Sequence, residues 1–392
     1  MDRKVKLGII GIGNMGSGHA KNIFEGKCPE LEIVAIADKN PARLDWARAQ
    51  YPETITYFDN AIEMLDSGLV EAVIVAVPHY DHPTLAIAAI ERGVHVMVEK
   101  PAGVYVKQVR EMNEVAAKHP EVVFGMMFNQ RTNHVYRKMH ELVHSGKYGR
   151  VRRTNWLITN WYRPQAYYDS GDWRATWSGE GGGVLMNQCP HHLDLWQWIC
   201  GMPVKVQTNM RFGQWHDIEV EDDVTTYVEY ADGATGVFVT TTGDGCGSNR
   251  FEIQMDKAKL VAEGETLTVR VFDQSEPEFT KTNTEPFASP KKTVLEFETD
   301  GLNTQHMGVI DAFASRILHG TPLVAGGEEG INGLTLSNAM HLSHWTNSTV
   351  ELPFDDDLYY NELMKRVATS RRKEGVTAVF ADTANTYGSK KK

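Results

Sequence analysis

Three short segments of this chain hold residue types that can do chemistry together. Lys100, in Glu99-Lys100-Pro101, is an amine able to stabilise an oxyanion. His191 is an imidazole able to take up or release a proton near neutrality, and Asn187, four residues earlier, can hold a hydroxyl but cannot take its proton. The third segment, Gly11-Ile12-Gly13-Asn14-Met15-Gly16, has the spacing of a turn that receives a pyrophosphate. There Gly11 allows the tight turn, Gly13 lets the backbone approach the phosphates, and Gly16 lets helix and strand pack closely. Asn14 and Met15 complete the turn, where unpaired N–H groups at a helix start face an anion. An acidic group for the adenosine ribose is needed ~20 residues on, and Asp38 ends the second apolar run.

The elements that must position these residues read as follows. Apolar runs Val5–Ile10, Leu31–Ala37, Ala72–Val77, Val94–Val98 and Val122–Met126 alternate with helical patterns at Pro41–Gln50, Pro83–Arg92 and Val106–Lys118. Continuous apolar strands joined by helices imply a parallel sheet covered on both faces, with ligands beyond the carboxyl ends of its strands. Pro41 and Pro83 suit first helical turns, with Asn40 the better cap and His82 the poorer. Lys100 follows a strand end, where Pro101 stops the ladder and helps aim the amine into the cleft. Partial burial and a nearby positive ring should lower its pKa. From Val151 the runs become short and closely spaced: Val151–Thr159, Val204–Arg211, Val224–Tyr230, Thr235–Thr242, Phe251–Met255 and Leu267–Phe272. They predict an open, mostly antiparallel sheet, followed by a long loop at Asp273–Lys292 and helices at Gln305–Leu318 and Gly330–Trp345. Pro190 opens a helix that Gly201 can end. On it Asp194, three residues after His191, could orient the imidazole, while His192 points ~100° away and reads as structural.

Composition narrows the partners. The chain has 392 residues, with 40 basic and 51 acidic side chains and a formal charge of −11. The only basic run is Lys390 to Lys392, so neither nucleic acid nor an anionic membrane surface is an expected partner. No apolar stretch approaches the ~20 residues of a membrane span, and no signal-peptide pattern precedes the first strand, so a cytoplasmic protein is expected. The four cysteines are far apart, and no carboxylate or cysteine has ligand spacing to the histidine pair, so no metal site is expected.

Taken together, these motifs closely resemble the Gfo/Idh/MocA family of sugar and cyclitol dehydrogenases over roughly residues 4–353. The resemblance rests on the glycine turn, Pro78 with His82, His95-Val96 leading into Glu99-Lys100-Pro101, Asn129 with Arg131, Gly146 with Gly149, Trp173-Arg174, and Gly181 through Asp194. It implies an α/β chain with an N-terminal Rossmann dinucleotide-binding domain (1–127), a C-terminal α+β domain for substrate binding and oligomerisation (128–357), and a helix and tail (358–392). In that family the lysine and the histidine contact the reacting hydroxyl, and a carboxylate usually stands where this chain has Asn187. Acid–base work should therefore fall to His191 or Lys100, with His191 favoured, Lys100 then stabilising the alkoxide and Asn187 holding a neighbouring hydroxyl. The resemblance adds Pro78, His82 and Glu99 to a cofactor set of Gly11, Gly13, Asn14, Met15, Gly16, Asp38 and Lys100. Trp161, Arg163, Trp173 and Arg174 should face the substrate, whereas Trp196 and Trp198 should pack in the protein.

Asp38 favours NAD over NADP because a carboxylate repels a 2′-phosphate, although Lys39 and Arg43 are close. The expected reaction is reversible oxidation of a ring hydroxyl of a sugar, glycoside or cyclitol by a homodimer or homotetramer. Two other readings are kept: a glycoside-cleaving enzyme that oxidises, eliminates, hydrates and re-reduces, and a non-catalytic nucleotide or sugar sensor.

Overall fold

The chain is described here by a computed structural model covering residues 3–297, 299–371 and 373. Lys390 to Lys392 and most of the expected tail lie outside the described residues.

Six parallel strands form the first sheet: β1 (Val5–Ile10), β2 (Leu31–Ala37), β3 (Thr56–Phe58), β4 (Ala72–Val75), β5 (His95–Val98) and β6 (Phe124–Met126). Their order is β3-β2-β1-β4-β5-β6, with the reversal between β1 and β4 that opens a crevice at the strand ends. Both faces are covered by packed side chains, which explains strands that are apolar except at the exposed Lys6 and Glu32. Val5, Leu7 and Ile9 of β1 enter one core with Ile36 and Ile74, while Ile10 enters the other with Val73 and Val75. Each such aliphatic side chain contributes about 1.5–3 kcal/mol on burial. The connecting helices are α1 (Asn14–Phe24), α2 (Pro41–Gln50), α3 (Ala61–Asp66), α4 (His82–Ile90) and α5 (Val106–Lys118). Asn40 caps α2, its Oδ1 accepting from the Ala42 amide at 3.0 Å. His82 is not a cap but the first residue of α4. The short strand β3 was absent from the sequence reading because its three residues are only partly covered.

Helix α6 (His134–His144) leads into the second sheet, of nine strands: β7 (Val151–Ile158), β8 (Lys205–Phe212), β9 (Glu221–Glu229), β10 (Thr235–Thr241), β11 (Asn249–Met255), β12 (Ala258–Glu263), β13 (Thr266–Phe272), β14 (Lys292–Glu296) and β15 (Val350–Glu351). All neighbouring pairs are antiparallel except β7 with β10. Between β7 and β8 lie α7 (Gln165–Tyr168) and α8 (Pro190–Cys200). The expected loop at 273–292 is corrected: it contains α9 (Glu276–Thr282), and Lys292 begins β14, which pairs with β13. Both elements have little buried surface, so no hydrophobic pattern marks them.

The chain then returns to the first sheet. Val309, Ile310, Phe313 and Ala314 of α10 (Gln305–His319) join the core containing Val5, Leu7 and Ile9. Helix α11 (Gly330–Thr346) packs on α8, α5 and β8, and α12 (Asp356–Val367) packs on α11 and α5. These helices hold α8 beside the carboxyl ends of the parallel strands.

Candidate active site

At the end of β1 the glycine turn has the geometry its spacing implies. Gly11 has φ +91°, and a Cβ there would stand 2.5 Å from the Ala76 carbonyl oxygen. A Cβ on Gly16 would run into the Gly11 carbonyl. Over Gly13, by contrast, a Cβ meets nothing within 4 Å, so the turn is open on the side a ligand would approach. Gly13 is the N-cap of α1 and no side chain caps the helix, leaving the amides of Asn14, Met15 and Gly16 at an open N-terminus. Asp38 stands beside this turn. Its Oδ2 accepts from the Ile12 amide and its Oδ1 from the Asn40 amide, both at 2.8 Å. Each carboxylate oxygen keeps a second lone pair, so the group can still accept from ribose hydroxyls. Open turn, uncapped helix and placed carboxylate together fit a dinucleotide.

Residues at the ends of β4 and β5 divide into two layers. Glu99 is buried; its Oε1 lies 2.6 Å from His19 Nε2 and its Oε2 accepts from the Lys100 amide at 3.1 Å. Burial alone would raise this carboxyl, but the His19 bond and the surrounding positive charge take it down to about 2. The His82 ring lies 2.7 Å from both the Val77 and Pro101 carbonyls, tying the ends of β4 and β5 together behind Pro78. Glu99 and His82 therefore frame the crevice through protein contacts. Lys100 does reach across: its Nζ donates to the Asn187 carbonyl at 3.0 Å, joining the first sheet to the segment before α8.

That segment is held by Glu221 of β9, a residue that no motif singles out. Its two carboxylate oxygens accept from the Gly183 and Leu185 amides at 2.9 and 3.0 Å, with His341 Nε2 3.0 Å away. A Cβ on Gly183 would strike the Glu221 carbonyl, which explains the glycine. Pro190 starts α8 as expected, and His191 in its first turn is buried. Burial, then the positive charge of Lys100, lowers the His191 pKa well below the ordinary histidine value, so the ring stands neutral.

The proposed orientation of His191 by Asp194 is corrected. Asp194 is 1% exposed and bonded twice to the Arg131 guanidinium, at 2.8 and 2.7 Å, and Gln197 donates to it at 3.1 Å. Arg131 also donates to Glu329 at 2.7 Å. The acid on α8 therefore locks the helix to the segment after β6. His192 is structural in its surroundings, with Trp156 and Trp161 edge-on to its ring.

The aromatic group gathers around Tyr167. Arg163 lies over the rings of Trp161 and Tyr167 at 5.4 and 5.1 Å, and Arg174 over those of Trp173 and Tyr167 at 4.6 Å each. All five side chains are half-buried. Trp196 stacks on Phe238 in the core as expected, whereas Trp198 is half-buried and stacks on the half-buried His140. Sequence reasoning missed His19, Glu221 and Glu180. Glu180 is a buried acid directly before the triple glycine, and it accepts from the Asn187 side-chain amide.

An uncapped glycine turn with a carboxylate beside it, at the switch point of a six-stranded parallel sheet, defines a dinucleotide-binding fold. Residues 5–126 match the family model described as an oxidoreductase family with an NAD-binding Rossmann fold, and residues 136–261 match the GFO/IDH/MocA C-terminal domain. The chain belongs to the Gfo/Idh/MocA family, and its first domain is of the NAD-binding type. It is 23% identical to the myo-inositol 2-dehydrogenase of Thermotoga maritima over 358 residues, 89% of this chain and 98% of that one. It is 26% identical to the uncharacterized oxidoreductase YdgJ of Escherichia coli over 54% of this chain and 58% of that one. Matches to two curated relatives span only 58% and 51% of their lengths. Among solved structures, the WlbA dehydrogenase of Chromobacterium violaceum, in complex with NADH and UDP-GlcNAcA, aligns with a TM-score of 0.77 at 26% identity. That alignment covers 91% of this chain and 98% of that one. Among the described residues, no helix is long and apolar enough to cross a membrane.

Proposed function

We propose that this protein is an NAD-dependent dehydrogenase that reversibly oxidises a ring secondary hydroxyl of a sugar, glycoside or cyclitol. The observation that carries the reading is the meeting of Lys100 with the Asn187 carbonyl at 3.0 Å, which brings the end of β5 to the segment that also carries His191. Gly11, Gly13, Asn14, Met15, Gly16 and Asp38 hold the dinucleotide, with Pro78, His82 and Glu99 shaping the crevice. Bound there, NAD supplies the hydride acceptor and NADH the donor. His191, kept neutral by burial, takes the hydroxyl proton; in the reverse direction its imidazolium gives the proton back readily for the same reason. Lys100 places positive charge beside the developing alkoxide. Asn187 offers a hydrogen bond to a neighbouring hydroxyl without competing for the proton.

The rings of Trp161, Trp173 and Tyr167 and the donors of Arg163 and Arg174 provide the apolar faces and N–H groups that a pyranose or cyclitol needs. Asp38 selects NAD over NADP by repelling the 2′-phosphate. A homodimer or homotetramer through the open face of the nine-stranded sheet would cover Leu157 and Tyr227, which are 41% and 39% exposed. The test is incubation with NAD and a panel of hexoses, glycosides and inositols, followed by absorbance of NADH and by product analysis. Net NADH with a keto product supports the dehydrogenase. Sugar release without net NADH supports oxidative glycoside cleavage instead, and saturable sugar binding with no turnover supports a sensor.

A further inference from the structure

Asn187 is held from three directions. Lys100 Nζ donates to its main-chain carbonyl at 3.0 Å, and the Tyr167 hydroxyl donates to its Oδ1 at 3.2 Å. Its Nδ2 donates to Oε1 of Glu180, which is 2% exposed. The other Glu180 oxygen accepts from the Ala175 amide at 2.7 Å, so the carboxylate is fixed before it meets Asn187. Tyr167 in turn receives bonds from Arg174 Nη1 at 2.9 Å and Gln188 Nε2 at 3.2 Å. A carboxylate can only accept, and this alone decides which way the amide points. The chain of donors runs from Arg174 and Gln188 through Tyr167 and Asn187, and it ends on the Glu180 carboxylate.

We propose that Glu180 is a positioning residue for the substrate end of the crevice. It fixes the Asn187 amide and supplies, one contact away, the negative charge that residue 187 itself lacks. This deepens the function proposed above and rests on it. Burial is the largest influence on the Glu180 carboxyl and raises it above the ordinary glutamate value; Arg174, the Ala175 amide, Asn187 and Lys100 work against that rise and favour the charged form. If the pair works as a unit of one acid and one amide, its members should be exchangeable.

The test is a swap. Asn187→Asp alone sets two carboxylates in contact, which raises the pKa of one of them. Turnover with NAD and the best sugar should then fall about tenfold or more at neutral pH, the size of coupling expected between touching groups, and recover toward acid pH. Glu180→Gln alone keeps an acceptor but lets the amide turn over, and should lower kcat more than it changes KM. The double variant Glu180→Gln/Asn187→Asp restores one acid and one amide. It should raise kcat above both single variants and abolish the recovery toward acid pH seen in Asn187→Asp. Full activity of Asn187→Asp across the pH range, or a double variant no better than the worse single, overturns the proposal. Melting temperatures of the same four proteins give a readout without turnover: Asn187→Asp lowest and the double recovered, against simple addition of the two losses. A wild-type protein silent on every sugar would defeat the dehydrogenase reading, and those melting temperatures would still decide the exchange.

Discussion

Replacing Asp194 by Asn separates a structural role for this acid from a catalytic one. Asp194 is 1% exposed, and its two oxygens take bonds of 2.8 and 2.7 Å from Arg131, which is itself 3% exposed. Asparagine keeps one acceptor and removes the charge, leaving the guanidinium with Glu329, whose side chain is 35% exposed. Breaking a buried pair by removing one partner costs about 3–5 kcal/mol, and the surviving Glu329 bond puts this case near ~3 kcal/mol. For a chain of this size, at about 2 °C per kcal/mol, the melting temperature should drop by roughly 6 °C. Below that temperature the pH dependence of kcat/KM should be unchanged, because Asp194 is bonded to Arg131 and Gln197. Differential scanning fluorimetry gives the first quantity, and NADH absorbance from pH 5 to 9 the second. An unchanged melting temperature, or a pKa in the kcat/KM profile moved by about half a unit or more, would refute the structural assignment.

Three further outcomes are expected. Gly13→Ala should fold normally, since its Cβ meets nothing within 4 Å, yet weaken NADH binding about tenfold or more by crowding the ligand; Gly16→Ala should also lose stability because its Cβ runs into the Gly11 carbonyl. Fluorescence titration with NADH and thermal melts check both, and wild-type affinity in Gly13→Ala contradicts the pyrophosphate assignment. Asp38→Ala should lower the NAD-to-NADP ratio of kcat/KM by about tenfold or more, which steady-state assays with both cofactors measure; an unchanged ratio removes Asp38 from the discrimination. Stability should fall in mild acid. Burial holds His192 down to about 3 and His306 to about 4, while unfolded histidine titrates near 6.5. Between about 6.5 and 4 the unfolded chain therefore binds more protons, so stability present above pH 6.5 drains as the pH falls. A melting temperature that stays flat from pH 7 to pH 5 at constant ionic strength contradicts this.

The parts of the fold most legible in sequence are those written in local chemistry. Both ends of β1, β2, α2 and α5 agree with the sequence reading: the strands are apolar but for the exposed Lys6 and Glu32, Asn40 and Pro41 mark the start of α2, and Val106, Val109 and Met112 give α5 its helical spacing. Gly11 and Gly16 stand out in the sequence because a Cβ at either would run into a backbone carbonyl, whereas Gly13 and Asp38 are picked out only by their spacing from that turn. What stayed hidden depends on contacts distant in sequence. Glu221 meets the triple glycine from another strand, His19 meets Glu99 across 80 residues, and Arg131 claims Asp194 across 63. Helix spacing alone put Asp194 and His191 near each other, and a buried arginine outcompeted that local pairing. Elements β14 and α9 escaped because their residues are mainly solvated, so neither period was written in apolar side chains.

The central claim is that an amine from the first sheet and an imidazole from α8 act on one hydroxyl. Steady-state turnover of Lys100→Ala and His191→Ala, with NAD and the best sugar and with NADH affinity measured alongside, tests it most directly. Each variant should lose about a hundredfold or more in kcat while still binding NADH. Two folded variants that turn over at the wild-type rate would contradict it.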